Sequence, residues 1–212
     1  MKKRNSKISR EELGSLHADR QMVIRARLDE FSQIPPSEYF YELVYCLLTP
    51  QSSAENAGRV VELLRELDFM HSPIDPEPCL RRKDFYIRFH KTKAKHLMRV
   101  REQFHILAPP LQNGRPGGEL REWLVENVRG LGWKEASHFL RNIGYRNLAI
   151  LDRHILRNLI RLGIIRRLPK SLTPKRYRAI ENKFRIFAGQ IRIPMDELDL
   201  LFWSMETGKI LK

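Results

Sequence analysis

A lysine at position 134 stands in the first turn of a predicted helix, and an aspartate at position 152 opens a later one. The N-terminus of a helix is the positive end of its dipole, so a lysine there is a poor choice for stability. The same placement favours the uncharged amine, the form that attacks carbon. Asp152 follows the apolar run Leu148-Ala-Ile-Leu151 and precedes Arg153-His-Ile-Leu156, which is the position of an N-cap carboxylate. A capping carboxylate is held rigidly by its own helix, so capping and catalysis are compatible. Each residue alone also has a plain reading, since solvated lysines are common in this chain and a capping aspartate needs no function.

Just before Lys134 the run Val128-Arg-Gly-Leu-Gly-Trp-Lys-Glu-Ala136 places Gly130 and Gly132 ahead of a helix N-terminus. Unpaired backbone N–H groups and the dipole make such a place an anion site, and glycine lets the backbone turn sharply and approach a phosphate. An ordinary helix-turn-helix connection within a bundle would read the same way. Near the C-terminus Asp199 and Trp203 are one helical turn apart and off the stripe Leu198, Leu201, Phe202, Met205, so they are expected to face something other than the main core. Trp203 is then either the wall of a base pocket or a peripheral packing residue.

These positions need helices to hold them, and apolar residues recur at three- and four-residue spacing with no run of period-two alternation. Tyr39-Phe40, Leu43-Val44 and Leu47-Leu48 mark a buried helix entered after Pro35-Pro36 with Ser37 as its cap, and Ala57–Leu67 marks another. His71–Cys79 and Pro109–Gly118 read as loops from their prolines and glycines. Spacing resumes at Leu120, Trp123-Leu124 and Val128, stops at Gly130-Leu-Gly132, and restarts as the stripe Ala136, Phe139, Leu140, Ile143, which ends at Gly144. The helix opened by Asp152 carries Ile155, Leu156, Leu159 and Ile160 and closes at Gly163; the last one follows Pro194 and stops at Gly208. Met1–Gln33 adds little.

The chain has 212 residues, 42% of them hydrophobic, enough for one large core or two small ones. With 39 Lys+Arg against 25 Asp+Glu the net charge is +14, which makes nucleic acid the first partner to test. Cys46 and Cys79 are the only cysteines, which excludes a disulfide scaffold and a four-cysteine metal or iron–sulfur site. The basic start Met1-Lys-Lys-Arg-Asn-Ser-Lys7 is followed by no apolar region, and no window approaches the roughly 20 apolar residues of a membrane span. A cytoplasmic protein without membrane contact, metal or cofactor is expected.

The run Gly130-Leu-Gly-Trp-Lys134-Glu-Ala136, followed by Leu151-Asp152-Arg-His-Ile155, resembles the helix-hairpin-helix plus Gly/Pro…Asp signature of the endonuclease III superfamily of DNA glycosylases. Leu47-Leu-Thr-Pro-Gln51-Ser-Ser-Ala-Glu-Asn56-Ala is similar to the superfamily's Gln-containing segment, and Phe89-His-Lys-Thr-Lys-Ala94 to its Lys-Ala segment. The absence of cysteine after Cys79 sets the chain apart from the iron–sulfur branches. The ending Asp196-Glu-Leu-Asp199-Leu-Leu-Phe-Trp203-Ser-Met-Glu-Thr-Gly208-Lys-Ile-Leu-Lys212 resembles the archaeal and bacterial type 2 8-oxoguanine DNA glycosylase/lyases.

The resemblance implies an all-α fold of two helical subdomains, 37–148 with the hairpin motif at about 120–144, and 1–36 plus 149–212, with the active site in the cleft between them. It implies a monomeric bifunctional enzyme acting on double-stranded DNA that contains 8-oxoguanine. Lys134 would form a Schiff base with the sugar after base loss, Asp152 would assist, and β-elimination would cut the strand. Gln51 would fill the gap left by the everted nucleotide. Gly130, Gly132 and Arg153 would hold phosphates. Phe89 and Trp203 would sandwich the base, and the terminal carboxylate of Lys212 and Asp199 would bond its polar edge. An oxidised-pyrimidine glycosylase of the same superfamily and a non-catalytic helix-hairpin-helix module that binds DNA are the competing readings.

Overall fold

The computed structural model describes residues 8–208 and 210, and no strand occurs among them. Among the described residues ten α-helices follow one another: α1 (Arg10–Ser32), α2 (Tyr39–Leu48), α3 (Ala54–Glu66), α4 (Glu77–Leu80), α5 (His90–Gln112), α6 (Gly117–Asn127), α7 (Trp133–Asn142), α8 (Arg153–Arg161), α9 (Pro174–Ile191) and α10 (Met195–Thr207). The fold is all-α. The chain forms two compact units, one from the residues up to Gln33 together with those from Gly144 onward, the other Ile34–Ile143.

The unit Ile34–Ile143 is built around α2, in which every residue from Phe40 to Leu48 is buried. A helix apolar on all sides belongs inside a bundle, and α2 packs on α3, α5 and α7. Its one buried carboxylate, Glu42, accepts a hydrogen bond from Asn142 Nδ2 at 3.0 Å. Such a group would otherwise carry the cost of an unsatisfied buried charge. The stripe Ala136, Phe139, Leu140, Ile143 is buried as its spacing predicts.

The other unit is organised by α10, against which α1, α8 and α9 pack. Because neighbours lie on several sides, Met195 to Phe202 are buried without interruption, including Asp196, Glu197 and Asp199. Two of them are met locally: Glu197 meets His17 Nε2 at 2.6 Å and Arg25 Nε at 3.1 Å, and the Asn147 amide donates to both oxygens of Asp196.

Several details depart from the sequence reading. The first helix was not expected, although Ser9 caps it through its hydroxyl, which accepts from the Glu12 amide at 3.0 Å. Its core seam of Leu13, His17, Ile24, Leu28 and Phe31 is sparse and includes a histidine, while Met22 and Val23 are exposed, so the apolar contrast that marks a helix is weak. The Pro109–Gly118 loop shrinks to 113–116, because α5 continues through Pro109 and Pro110. There the two missing N–H groups cost only final-turn bonds, and buried Leu107 and Leu111 hold the turn. Within His71–Cys79, α4 begins at Glu77. Ser37 lies in a 3₁₀ turn, Pro36–Glu38, and does not cap α2. Met205 is only half-buried, while Leu200 and Ser204 are buried. The units divide at Gln33/Ile34 and Ile143/Gly144 rather than at 36/37 and 148/149.

Candidate active site

Asp152 is positioned by a chain of buried hydrogen bonds. The extended segment leading to it is fixed from α9: Glu181 Oε1 accepts from the Ala149 amide at 2.8 Å. Tyr177 donates its hydroxyl to Ala149 O at 2.6 Å and accepts from the Leu151 amide at 3.2 Å. With Leu148 to Leu151 buried, the chain delivers Asp152 to the start of α8 at φ −82° and ψ −178°. Its Oδ1 accepts from the Ile155 amide at 2.8 Å, the expected cap. Its Oδ2 accepts from the indole Nε1 of Trp203 at 3.1 Å.

Trp203 is half-buried on α10, and its ring meets the His154 ring edge-on at 5.9 Å between centroids. Spacing gave no hint of its bond to Asp152, because the partners are distant in sequence. Asp199, one turn earlier, is 3% exposed and belongs to the buried run of α10. Arg153, the first residue of α8, is exposed beside Asp152. Lys212 lies outside the described residues.

Lys134 belongs to the other unit, in the first turn of α7, with its side chain 28% exposed and its Nζ 3.0 Å from Glu135 Oε1. The hairpin before it closes with the Leu131 amide donating to Val128 O at 3.1 Å. Gly130 has φ +92°, and a Cβ there would overlap the His96 ring, so glycine is required twice over. Gly132 is different. It is extended, at φ −90°, a conformation open to any residue, and the nearest obstacle to a Cβ is the flexible end of Glu135, 2.9 Å away. The expected sharp turn at both glycines therefore holds at Gly130 alone. Gly132 is the N-cap of α7 and makes no side-chain cap hydrogen bond.

Gln51 and Phe89 share an unusual backbone state: both are non-glycine residues in the left-handed region, at φ +56° and φ +61°. Both are exposed, Phe89 by 51%, with the Arg88 guanidinium 5.1 Å from its ring centre. Their turns are tied together. Ser52 Oγ accepts from the Arg88 amide at 3.0 Å, and Asn56 Nδ2 donates to Tyr86 O at 3.2 Å. Lys93 completes the tie, its buried Nζ donating to Leu48 O at 2.6 Å, Pro50 O at 2.7 Å and Ser52 Oγ at 3.2 Å. Burial pushes the Lys93 amine down to about 8, with Glu135 raising it and Lys134 lowering it. The sequence marks Lys93 only as part of the Lys-Ala segment; the signal for its burial is its phase, since it falls on the α5 face that buries Ala94, Leu97, Val100 and Phe104.

A family model described as 8-oxoguanine DNA glycosylase matches residues 24–193. This chain belongs to the 8-oxoguanine DNA glycosylase family. A family member from Fusobacterium nucleatum, named 8-oxoguanine DNA glycosylase/AP lyase, is 41% identical over 213 aligned residues, covering 95% of this chain and 96% of its own length. Two solved members of the 8-oxoguanine DNA glycosylase family have the same fold. The glycosylase of Thermotoga maritima superposes with a TM-score of 0.84 at 34% identity, over 96% of this chain and 98% of its own. The Methanocaldococcus jannaschii glycosylase/lyase, solved with a 15mer DNA containing 8-oxoguanine, gives 0.81 at 34% identity over 91% and 93%.

Among the described residues no group of three or more His, Cys, Asp or Glu is placed to hold a metal ion, and no helix is long and apolar enough to cross a membrane.

Proposed function

We propose that this protein removes 8-oxoguanine from double-stranded DNA and cuts the strand at the resulting abasic site, with Lys134 as nucleophile and Asp152 as its carboxylate partner. The target nucleotide must leave the base stack, because C1′ is inaccessible within a duplex. Gln51 enters the vacated space, and Phe89 and Trp203 flank the extruded base. Discrimination from guanine requires an acceptor for the added N7–H; Asp199 and Lys212 are assigned to that edge. Gly130, Gly132 and Arg153 hold phosphates, contacts that give affinity without sequence information.

The neutral Lys134 amine attacks C1′, and the C1′–N9 bond breaks with the pair of electrons leaving on the base, which takes up a proton. The lysine nitrogen loses its protons as the sugar ring opens to an imine, with ionised Asp152 assisting and stabilising the positive charge that develops on the sugar. Loss of a proton from C2′ then expels the 3′ phosphate by β-elimination, and water hydrolyses the imine to restore the lysine.

The observation that supports this reading most directly is the Asp152 carboxylate, fixed at both oxygens by Ile155 and Trp203 in a chain of this family. The experiment is borohydride trapping on an 8-oxoguanine:cytosine duplex. The native chain should give a covalent adduct. Lys134→Gln should bind the duplex and give none, and an adduct in that variant would assign the chemistry to a different amine.

A further inference from the structure

We infer that Lys93 is a positioning residue that locks the turn carrying Gln51 to the turn carrying Phe89, so that both side chains meet the DNA as parts of one rigid piece. The inference rests on the roles given above to Gln51 and Phe89.

An ammonium group has three N–H donors, and the Lys93 Nζ meets three acceptors: Leu48 O, Pro50 O and Ser52 Oγ. Two of these carbonyls belong to the end and exit of α2, the negative pole of that helix, where a cation is favourable. Ser52 then passes the restraint onward, since the same hydroxyl accepts from the Arg88 amide next to Phe89. One buried charge thus reaches both turns.

The backbone supplies an independent reason for such a lock. A non-glycine residue in the left-handed region is held there at a steric cost, and persists only where its surroundings over-determine it. Gln51 and Phe89 are both in that state, and the Lys93–Ser52 bonds lie between them. A side chain that must replace a leaving base loses little by ordering if its backbone is already fixed, and this is the advantage of preorganisation.

The expected signature separates substrates. Pushing out a paired base needs Gln51 and Phe89 in place, whereas a preformed abasic site has no base to unstack or stack. Lys93→Met should therefore slow single-turnover excision of 8-oxoguanine opposite cytosine by roughly 30-fold or more, on the scale that small misplacements cost. Incision of an abasic site in the same duplex should stay within about threefold. Ser52→Ala, which removes one arm of the lock and carries less risk to folding, should show the same selectivity at roughly fivefold. Equal losses on both substrates in the two variants, or no loss in either, would overturn the inference. Gln51→Ala and Phe89→Ala serve as controls. If they slow 8-oxoguanine excision while both lock variants match the native rate, only the role of Lys93 fails. If they slow nothing, the assignment of those two residues fails and the inference goes with it.

Discussion

The indole Nε1 of Trp203 donates a hydrogen bond to Asp152 Oδ2 at 3.1 Å, while Asp152 Oδ1 accepts from the Ile155 amide. One tryptophan thus joins a proposed role, a ring against the base, to an observed one, a donor to Asp152. A hydrogen bond to a charged acceptor contributes more than a neutral one and also fixes the rotamer.

The two roles can be separated. Trp203→Phe keeps an aromatic face and deletes the donor, so lesion-DNA affinity should change by less than about threefold while the excision rate falls about tenfold. Single-turnover kinetics with a parallel binding titration would decide the matter; a loss confined to affinity would mean that the indole N–H does nothing for Asp152.

Substitutions of Asp152 should split stability from activity. Asn is as good a cap as Asp, so Asp152→Asn should unfold in urea within about 0.5 kcal/mol of the native chain, whereas Asp152→Ala should lose about 1 kcal/mol. Both should lower the excision rate by at least about 100-fold, since neither supplies a negative charge. Near-native turnover in Asp152→Asn would reduce Asp152 to a capping residue.

The two hairpin glycines should respond differently. Gly130→Ala forces a Cβ into the His96 ring at φ +92° and should cost about 2 kcal/mol or more in stability. Gly132→Ala meets only the end of Glu135 and should cost under about 1 kcal/mol, yet weaken DNA binding by placing a methyl group where a phosphate approaches. Urea melts and binding isotherms at two salt concentrations would test both; unchanged affinity in Gly132→Ala would remove that position from the DNA contact.

The depressed Lys93 amine makes a pH prediction whose sign is fixed. In the unfolded chain this group titrates near its ordinary 10.5 and in the folded chain at about 8, so between these values the unfolded state binds more protons. Stability of the native chain relative to Lys93→Met should be flat below pH 8 and rise as pH increases towards 10.5. Other groups are common to both proteins and cancel. A flat difference across pH 7–10 would show that the buried amine is not destabilised in its charged form.

What could be read in advance was local. Asp152 as a cap, the α7 stripe and the stops at Gly144, Gly163 and Gly208 depend on neighbours within a turn or two, and spacing encodes those. The Lys134–Asp152 signature is a linear motif and identified the family without any contact being known. The Trp203–Asp152 bond joins residues on helices far apart in the chain, and periodicity says nothing of such pairs. The Lys-Ala segment is legible but the burial of Lys93 is not, because residue type argues for solvent while its phase on α5 argues for the interior, and the three acceptors that reconcile the two come from another turn. The first helix escaped because its buried seam is thin, and the Pro109-Pro110 pair misled because prolines in a last turn remove few bonds.

The packing of α1 on α10 has a consequence for biosynthesis. α1 precedes its main partner α10 in the chain by the whole of the unit Ile34–Ile143 and by α8 and α9, so buried His17 waits for Glu197 to arrive. The unit Ile34–Ile143 can assemble meanwhile from contiguous chain, carrying the amine but not the acid. A nascent polypeptide that has yet to acquire α10 would thus lack the Trp203 bond to Asp152 Oδ2, so the carboxylate reaches its final geometry only once α10 has been made.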